Sequence, residues 1–253
     1  TRRQHCHDAP GPAPCKGCLT AVQERNFRMT TLTLTNDIAL KARLAGLLYL
    51  IIILTGLGAE LGLRAPLIDL GDADATAAAI LGSPGQFHLA IAADIVMALS
   101  DAGLAILLYL IFRTMAPGLA LSAMVFRLIQ TVLIAASLMA LLAAWLVLIR
   151  AEGLTDAPTL ALVFLDLHAH GYDLGLVFFG MNSLIMGLLV WRSDRFAKVF
   201  GAGLALAGLV YLTGSGLRFF APDLSSAFMP AYGLTILAET AFCLRLLLQT
   251  GPR

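Results

Sequence analysis

Five charged or amide side chains stand inside long apolar stretches, and these residues have the greatest capacity for chemistry. They are Asp94, Asp101, Arg127, Gln130 and Glu239. A charge near the centre of a bilayer costs about 2.5–3.5 kcal/mol on insertion scales, so each charged group should face the interior of a helix bundle and have a partner there. Such a group can bind an ion, a proton or a polar solute, or it can simply fix the register of two helices.

The depth of these residues in their stretches predicts which of them meet. Measured from the side that is rich in Lys and Arg, Asp101 lies at about 18 Å, Arg127 at about 12–14 Å and Glu239 at about 15 Å. We therefore predict an interior cluster in which Arg127 is held by Asp101, Glu239 or both, with Gln130 beside Arg127. Asp94 precedes Asp101 by two helical turns and is expected to face the same interior.

A second polar group falls near the opposite ends of the stretches, and we predict that it surrounds an outer vestibule. Its members are Glu60, His88, His168, His170, Asp173 and Arg218. Histidine and carboxylate side chains can hold a metal or a haem. However, two histidines separated by one residue point to different faces of a helix. We predict neither a metal nor a cofactor at this vestibule.

The composition shows which solvent surrounds these residues. Hydrophobic residues make up 59% of the 253 and charged residues 13%, with a mean hydropathy of +0.85. An ordinary soluble domain has about 25% charged residues. The chain is therefore predicted to be an integral membrane protein whose first partner is the lipid bilayer. A net charge of +1 argues against a nucleic-acid partner.

The apolar pattern predicts an all-α, polytopic bundle of six transmembrane helices in a domain over residues 38–250. The predicted spans are residues 44–63, 88–112, 119–149, 172–191, 199–217 and 231–248. A short amphipathic helix is expected between the first two spans, over residues 72–81, with Asp72 or Asp74 near its N-terminus.

Lys and Arg residues at the span ends predict the orientation of the bundle. One side has Lys41, Arg43, Arg113, Arg192, Arg195, Lys198, Arg245 and Arg253. The other side has Arg64, Arg150 and Arg218. The richer side is predicted to be cytoplasmic, which places both termini inside and the vestibule outside.

Residues 1–37 are predicted to form a disordered tail. The first methionine is Met29, and we expect translation to begin there, so that residues 1–28 are not native. Cys15 and Cys18 form a CxxC pair, which is half of a zinc knuckle. Because no second well-spaced pair follows, we do not predict a zinc site.

The chain has no GxSxG, HExxH, P-loop or dinucleotide-binding motif, which argues against the common enzyme chemistries. Three functions remain open. The bundle could bind or move a small solute, lipid or ion through its polar interior. It could be a membrane enzyme or redox module that uses the outer His and Asp residues. It could also be a structural or regulatory partner of another membrane protein.

Several segments, in their order along the chain, resemble one family of bacterial membrane proteins. They are ARLAGLLYLIIILTG at residues 42–56, GDADATAAAIL at 71–81, FRLIQ at 126–130, LDLHAHGYDLGLVFFG at 165–180, and the helix that contains Glu239. Together they resemble the domain of unknown function 4386 family over residues 38–248. The resemblance implies a multi-pass protein of the bacterial cytoplasmic (inner) membrane, and it implies no particular activity.

Overall fold

Helices account for all the regular structure that the computed structural model describes, which covers residues 16–153 and 155–249, with side chains from residue 37 onward. The α-helices are α1 Lys16–Leu57, α2 Ala73–Gly82, α3 Pro84–Phe112, α4 Pro117–Ile149, α5 Ala157–Arg192, α6 Lys198–Phe220, α7 Pro222–Phe228 and α8 Tyr232–Leu247. A π-helix, Gly58–Arg64, continues α1, and a 3₁₀ turn, Met229–Ala231, joins α7 to α8. Lys41–Gln249 form one compact unit.

Six of the helical segments are long and apolar enough to cross a membrane, which confirms the predicted number of spans. They are Asp37–Arg64, Pro84–Phe112, Pro117–Ile149, Ala157–Arg192, Lys198–Phe220 and Pro222–Leu247. The chain is therefore a multi-pass membrane protein by helix length and hydropathy. Which side each end faces is still a prediction.

The fourth span begins fifteen residues before the predicted start at residue 172, and α5 is 36 residues long. The prediction was too short because Asp166, His168 and His170 interrupt the apolar pattern. In the structure these residues lie on the helix itself. At 1.5 Å per residue α5 is about 54 Å long, so it must tilt or extend beyond about 30 Å of hydrocarbon.

The predicted short helix between the first two spans is confirmed as α2. The Asp72 side chain caps it by accepting a hydrogen bond from the Ala75 N–H at 2.9 Å. Thr76, Ala77 and Ile80 form its buried face. This buried face packs against α3, α4 and α5. The exposed face includes Ala75, Ala78 and Leu81, so the helix is less amphipathic than expected.

The N-terminal predictions fall largely outside the described residues. The predicted tail at residues 1–15 lies there, and so do the side chains of Cys15, Cys18 and Met29. From Lys16 onward the described backbone is helical, and the limits of the tail stay a prediction. No proline stands between Pro14 and Pro66, so the helix of the first span can extend towards the N-terminus without a steric break.

Glycines allow α5 and α6 to approach each other closely. A Cβ atom at Gly201 would lie 2.7 Å from the Gly187 carbonyl oxygen, and one at Gly208 would lie 2.8 Å from the Gly180 carbonyl oxygen. Real Cβ atoms do not approach so closely. The two backbones therefore pack as small-residue faces do in membranes.

The buried apolar residues form two separate clusters with polar residues between them. On α3, one cluster ends at Ile91 and the other begins at Leu104. On α4, one cluster ends at Ala123 and the other begins at Leu138. We call the intervening level the polar layer. Its buried members on α3 and α4 are Asp94, Ser100, Asp101, Arg127, Gln130, Thr131 and Ser137.

Candidate functional site

A buried ion pair between Asp101 on α3 and Arg127 on α4 is the centre of the polar layer. The Arg127 Nε donates a hydrogen bond to Asp101 Oδ1 at 2.7 Å. The Nη2 atom lies 2.5 Å from the same oxygen, in an ion-pair contact whose N–H is not aligned as a hydrogen bond. Each side chain is 3% exposed. The pair therefore joins two membrane helices with almost no access to solvent.

The second oxygen of Asp101 also accepts hydrogen bonds from side chains of α4. The Thr131 hydroxyl donates to Asp101 Oδ2 at 2.6 Å, and the Gln130 amide nitrogen, when it faces the carboxylate, donates to the same oxygen at 2.7 Å. Thr131 follows Arg127 by four residues, so both lie on one face of α4. We refer to Asp101, Arg127, Gln130 and Thr131 as the Arg127 centre.

Two aromatic rings enclose the guanidinium group. The Arg127 Cζ atom lies 5.3 Å from the ring centroid of Tyr49 and 5.0 Å from that of Phe179. Both distances are within the range of a cation–π contact. Arg127 is therefore held by α1, α3 and α5 together, and the positive charge is partly compensated without a second carboxylate.

Glu239 does not pair with Arg127, which corrects one of the two pairings left open by the sequence. Its Oε1 atom accepts a hydrogen bond from the Tyr211 hydroxyl of α6 at 2.8 Å. In the described part of the chain, no Lys or Arg nitrogen is within ion-pair distance of it. The depth of Glu239 predicted the correct level in the bundle. Depth does not determine which neighbouring helix a side chain faces.

Asp94 also lies outside the Arg127 centre. It is paired with Arg64, at the end of the π-helix, and Arg64 in turn donates to Glu60 Oε2 at 2.7 and 3.1 Å. Asp94 is fully buried and its Oδ1 has no hydrogen-bond partner, whereas the Glu60 side chain is 63% exposed. Glu60, Arg64 and Asp94, which we call the Arg64 group, extend from the end of the bundle into its interior.

The histidines assigned to the vestibule do not converge. His88 Nδ1 is 2.7 Å from the Pro84 carbonyl oxygen, and its ring packs edge-on against Trp145. His168 is buried, with Nδ1 3.1 Å from the Ser137 hydroxyl. No group of three or more His, Cys, Asp or Glu suited to a metal ion occurs among the residues whose side chains are described. The single predicted vestibule is therefore divided into separate contacts.

The remaining vestibule residues form a cluster of their own between α5 and α6. Arg218 Nε lies 2.8 Å from Asp173 Oδ2, and Nη2 lies 3.7 Å from Asp166 Oδ1. The His170 Nδ1 is 3.3 Å from the same oxygen of Asp166. These four residues are the Arg218 group, and they are partly exposed at the same end of the bundle as Glu60.

Two narrow crevices adjoin Arg127. One lies between α3, α4 and α5, and the other lies between these helices, Tyr49 and Phe242. Arg127 and Asn182 line both of them. Both crevices are so narrow that neither has room for more than about one water molecule.

Sequence reasoning missed several residues that take part in these contacts, and five of them carry polar groups that matter most here. They are Tyr49, Arg64, Thr131, Asp166 and Tyr211. Three of them had a local signal, because each lies four residues from a predicted site residue, at the spacing of neighbours on a helix. Tyr49 and Tyr211 had no such signal, since their partners are on distant helices.

Comparison with known families gives one assignment. The family model described as "Domain of unknown function (DUF4386)" matches residues 44–249. Comparisons with curated proteins and with solved structures gave no match. The family match spans all six candidate membrane helices and every group of polar residues described above. The chain therefore belongs to the DUF4386 family.

Proposed function

We propose that this protein is a carrier of the bacterial cytoplasmic membrane that binds a small polar solute or an ion at the Arg127 centre. The observation that supports it is the position of the ion pair. Arg127 and Asp101 lie between two apolar clusters, and the guanidinium borders two crevices that an uncharged amide, Asn182, also lines. Ionisable groups buried at membrane depth commonly mark the path of a solute or ion.

The unequal pairing of the buried carboxylates also favours a carrier over a purely structural bundle. Ion pairs that serve only to fix helix packing are complete, because an unpaired buried charge is costly. Asp94 and Asp101 each have an arginine partner within ion-pair distance, but Glu239 has tyrosine hydroxyls instead. A group that is left without its counter-ion is available for another ligand.

A structural or regulatory partner of another membrane protein is the second candidate. The closed interior favours it, because the crevices are too small for a solute and Asp94, Asp101 and Glu239 are all buried. A carrier would show the same closed interior if the structure represents an occluded state, which must open during transport. The membrane enzyme or redox alternative has less support, since the three histidines contact different partners.

Ligand-dependent stability distinguishes the two candidates. The full chain in lipid nanodiscs would be unfolded thermally with acetate, glycine, methylammonium or glycerol present, one probe for each class of small solute. We expect one class to raise Tm by mass action. The increase should vanish in Asn182→Leu, which removes the amide from both crevices.

The matched control is Gln86→Leu, which removes an amide that donates to the Leu63 carbonyl oxygen at 3.0 Å, near the end of the bundle. This variant should keep the ligand response. A Tm that does not respond to any of the four probes, or a response that survives in Asn182→Leu, would argue for the structural partner.

A further inference from the structure

Glu239 differs from the other buried carboxylates of the described residues in its partner. Three Asp or Glu side chains are buried there, with exposures of 0% for Asp94, 2% for Asp101 and 8% for Glu239. The two aspartates face arginines, whereas Glu239 accepts a hydrogen bond from Tyr211. A carboxylate without a cation nearby is stabilised much less by a neutral hydrogen bond than by an ion pair.

The neighbours of Glu239 belong to several helices. Tyr211 of α6 donates to it, and Tyr49 of α1 is close enough to interact with it electrostatically. Arg127 of α4 and Asp101 of α3 act on it from beyond ion-pair distance. Since Arg127 is already paired with Asp101, one positive and two negative charges leave this set with a net charge of −1 when Glu239 is ionised. A single proton brings the set to neutrality.

The charge balance and the geometry together point to a site for a coupling ion. We propose that Glu239 is the proton-binding residue of the carrier, which takes up one proton from water on one side of the membrane and releases it on the other. Bound, the proton converts the carboxylate into a carboxylic acid, and the Tyr211 hydroxyl remains a donor to Oε1 in both states. This inference rests on the proposed carrier function, which it deepens by naming the coupling ion.

Glu239 is placed where such a proton could influence solute binding. Phe242, one turn further along α8, lines the same crevice as Arg127 and Tyr49. Neutralising Glu239 removes the negative charge that opposes an anionic group near Arg127 and that favours a cationic one. Protonation therefore changes which solute charge the crevice accepts, without any direct contact between Glu239 and the solute.

Infrared difference spectroscopy of the full chain in nanodiscs tests this assignment directly. A carboxylic C=O stretching band should appear as the pH is lowered from about 9 to about 6, a range in which ordinary exposed carboxylates stay almost fully ionised. The band should be lost in Glu239→Gln and kept in Asp173→Asn. In Tyr211→Phe it should persist at a changed frequency, because the hydrogen bond to Oε1 is gone.

Two outcomes would overturn the proposal. One is a spectrum without the band, or a band that persists in Glu239→Gln. The other is loss of the band when sodium ions replace potassium ions in the buffer, which would identify a metal cation site instead. A Glu239 band in a protein that none of the solute probes stabilises would leave the proton site intact and count against the carrier. Stabilisation by a solute probe in a protein without the band would support the carrier and overturn the proton site.

Discussion

The Arg127 centre and the Arg218 group use the same chemistry in different surroundings. In each, an arginine Nε approaches an aspartate oxygen of another helix, at 2.7 Å for Arg127–Asp101 and at 2.8 Å for Arg218–Asp173. The first two side chains are each 3% exposed, whereas Arg218 is 28% and Asp173 14% exposed. Distance alone therefore does not rank these contacts. Solvent screens the more exposed second pair more strongly than the buried first pair.

The Arg64 group combines both environments. Asp94 is fully buried and Arg64 nearly so, but Glu60 on the far side of the guanidinium is 63% exposed. A single arginine thus connects a solvated carboxylate to one in the polar layer. If burial decides the strength of these contacts, replacing the three arginines should have effects that follow their exposure.

Arg127→Ala should have the largest effect. It leaves Asp101 as an uncompensated buried charge, for which the expected loss in the free energy of unfolding is about 3–5 kcal/mol. The measurement is the yield of monodisperse protein in mild detergent, followed by thermal unfolding. Asp101→Asn in the same chain should restore part of the stability, because it removes the orphaned charge.

The extent to which a second substitution restores the stability of Arg127→Ala distinguishes Asp101 from Glu239. Since Asp101 contacts Arg127 directly and Glu239 does not, Glu239→Gln should rescue Arg127→Ala less well than Asp101→Asn does. Normal folding of Arg127→Ala would show that the ion pair does not stabilise the bundle.

Arg64→Ala should rank second, with a loss of about 2–3 kcal/mol. It deprives Asp94 of its cation, but the end of the bundle can admit water more readily than its centre. Thermal unfolding of Arg64→Ala and of the double variant with Asp94→Asn measures the effect. Glu60→Gln is the control and should cost less than about 1 kcal/mol, because its carboxylate is largely exposed.

Arg218→Ala should cost only about 0–1 kcal/mol, since its pairs are partly hydrated. The effect should also shrink as salt is raised, because ions screen exposed charges. Unfolding in low and high potassium chloride checks both points. A loss as large as that of Arg127→Ala would contradict the view that burial separates the two regions.

Asp156→Ala should have the smallest effect, and that effect should depend on pH. Hydrogen bonds from the Thr159 side chain and, second, its backbone N–H lower the pKa of Asp156 at the start of α5. A lowered folded-state pKa stabilises the protein above the ordinary value of about 4, and the gain is lost as the pH falls through the folded-state pKa. Unfolding curves of Asp156→Ala and the parent chain should therefore differ at neutral pH and converge in acid.

The sequence predicted the spans well because hydropathy over about twenty residues is a strong local signal. The fourth span was predicted to begin too late, since three polar residues on α5 interrupt its apolar pattern. The π-helix at Gly58–Arg64 was not predicted at all. Arg64, its last residue, contacts both Glu60 and Asp94.

The polar contacts were less predictable than the helices. Residue counting placed Asp101 and Arg127 at one level, where they do meet, and also placed Glu239 there, where it turns to Tyr211 instead. The counting fixes depth along the membrane normal, but the rotation and neighbours of each helix come from packing. Close approach at Gly187 and Gly201 is one such determinant.

Accessibility of the crevice from the two sides of the membrane tests the carrier proposal most directly. The four cysteines of the chain would be replaced, and Ser183→Cys would place one thiol beside Asn182, with Ala144→Cys as a control in the other apolar cluster. Membrane-impermeant thiol reagents would be applied to vesicles from either side. We predict that Ser183→Cys reacts from both sides and Ala144→Cys from neither. A thiol at residue 183 that no reagent reaches from either side would contradict the carrier and leave the sealed structural partner.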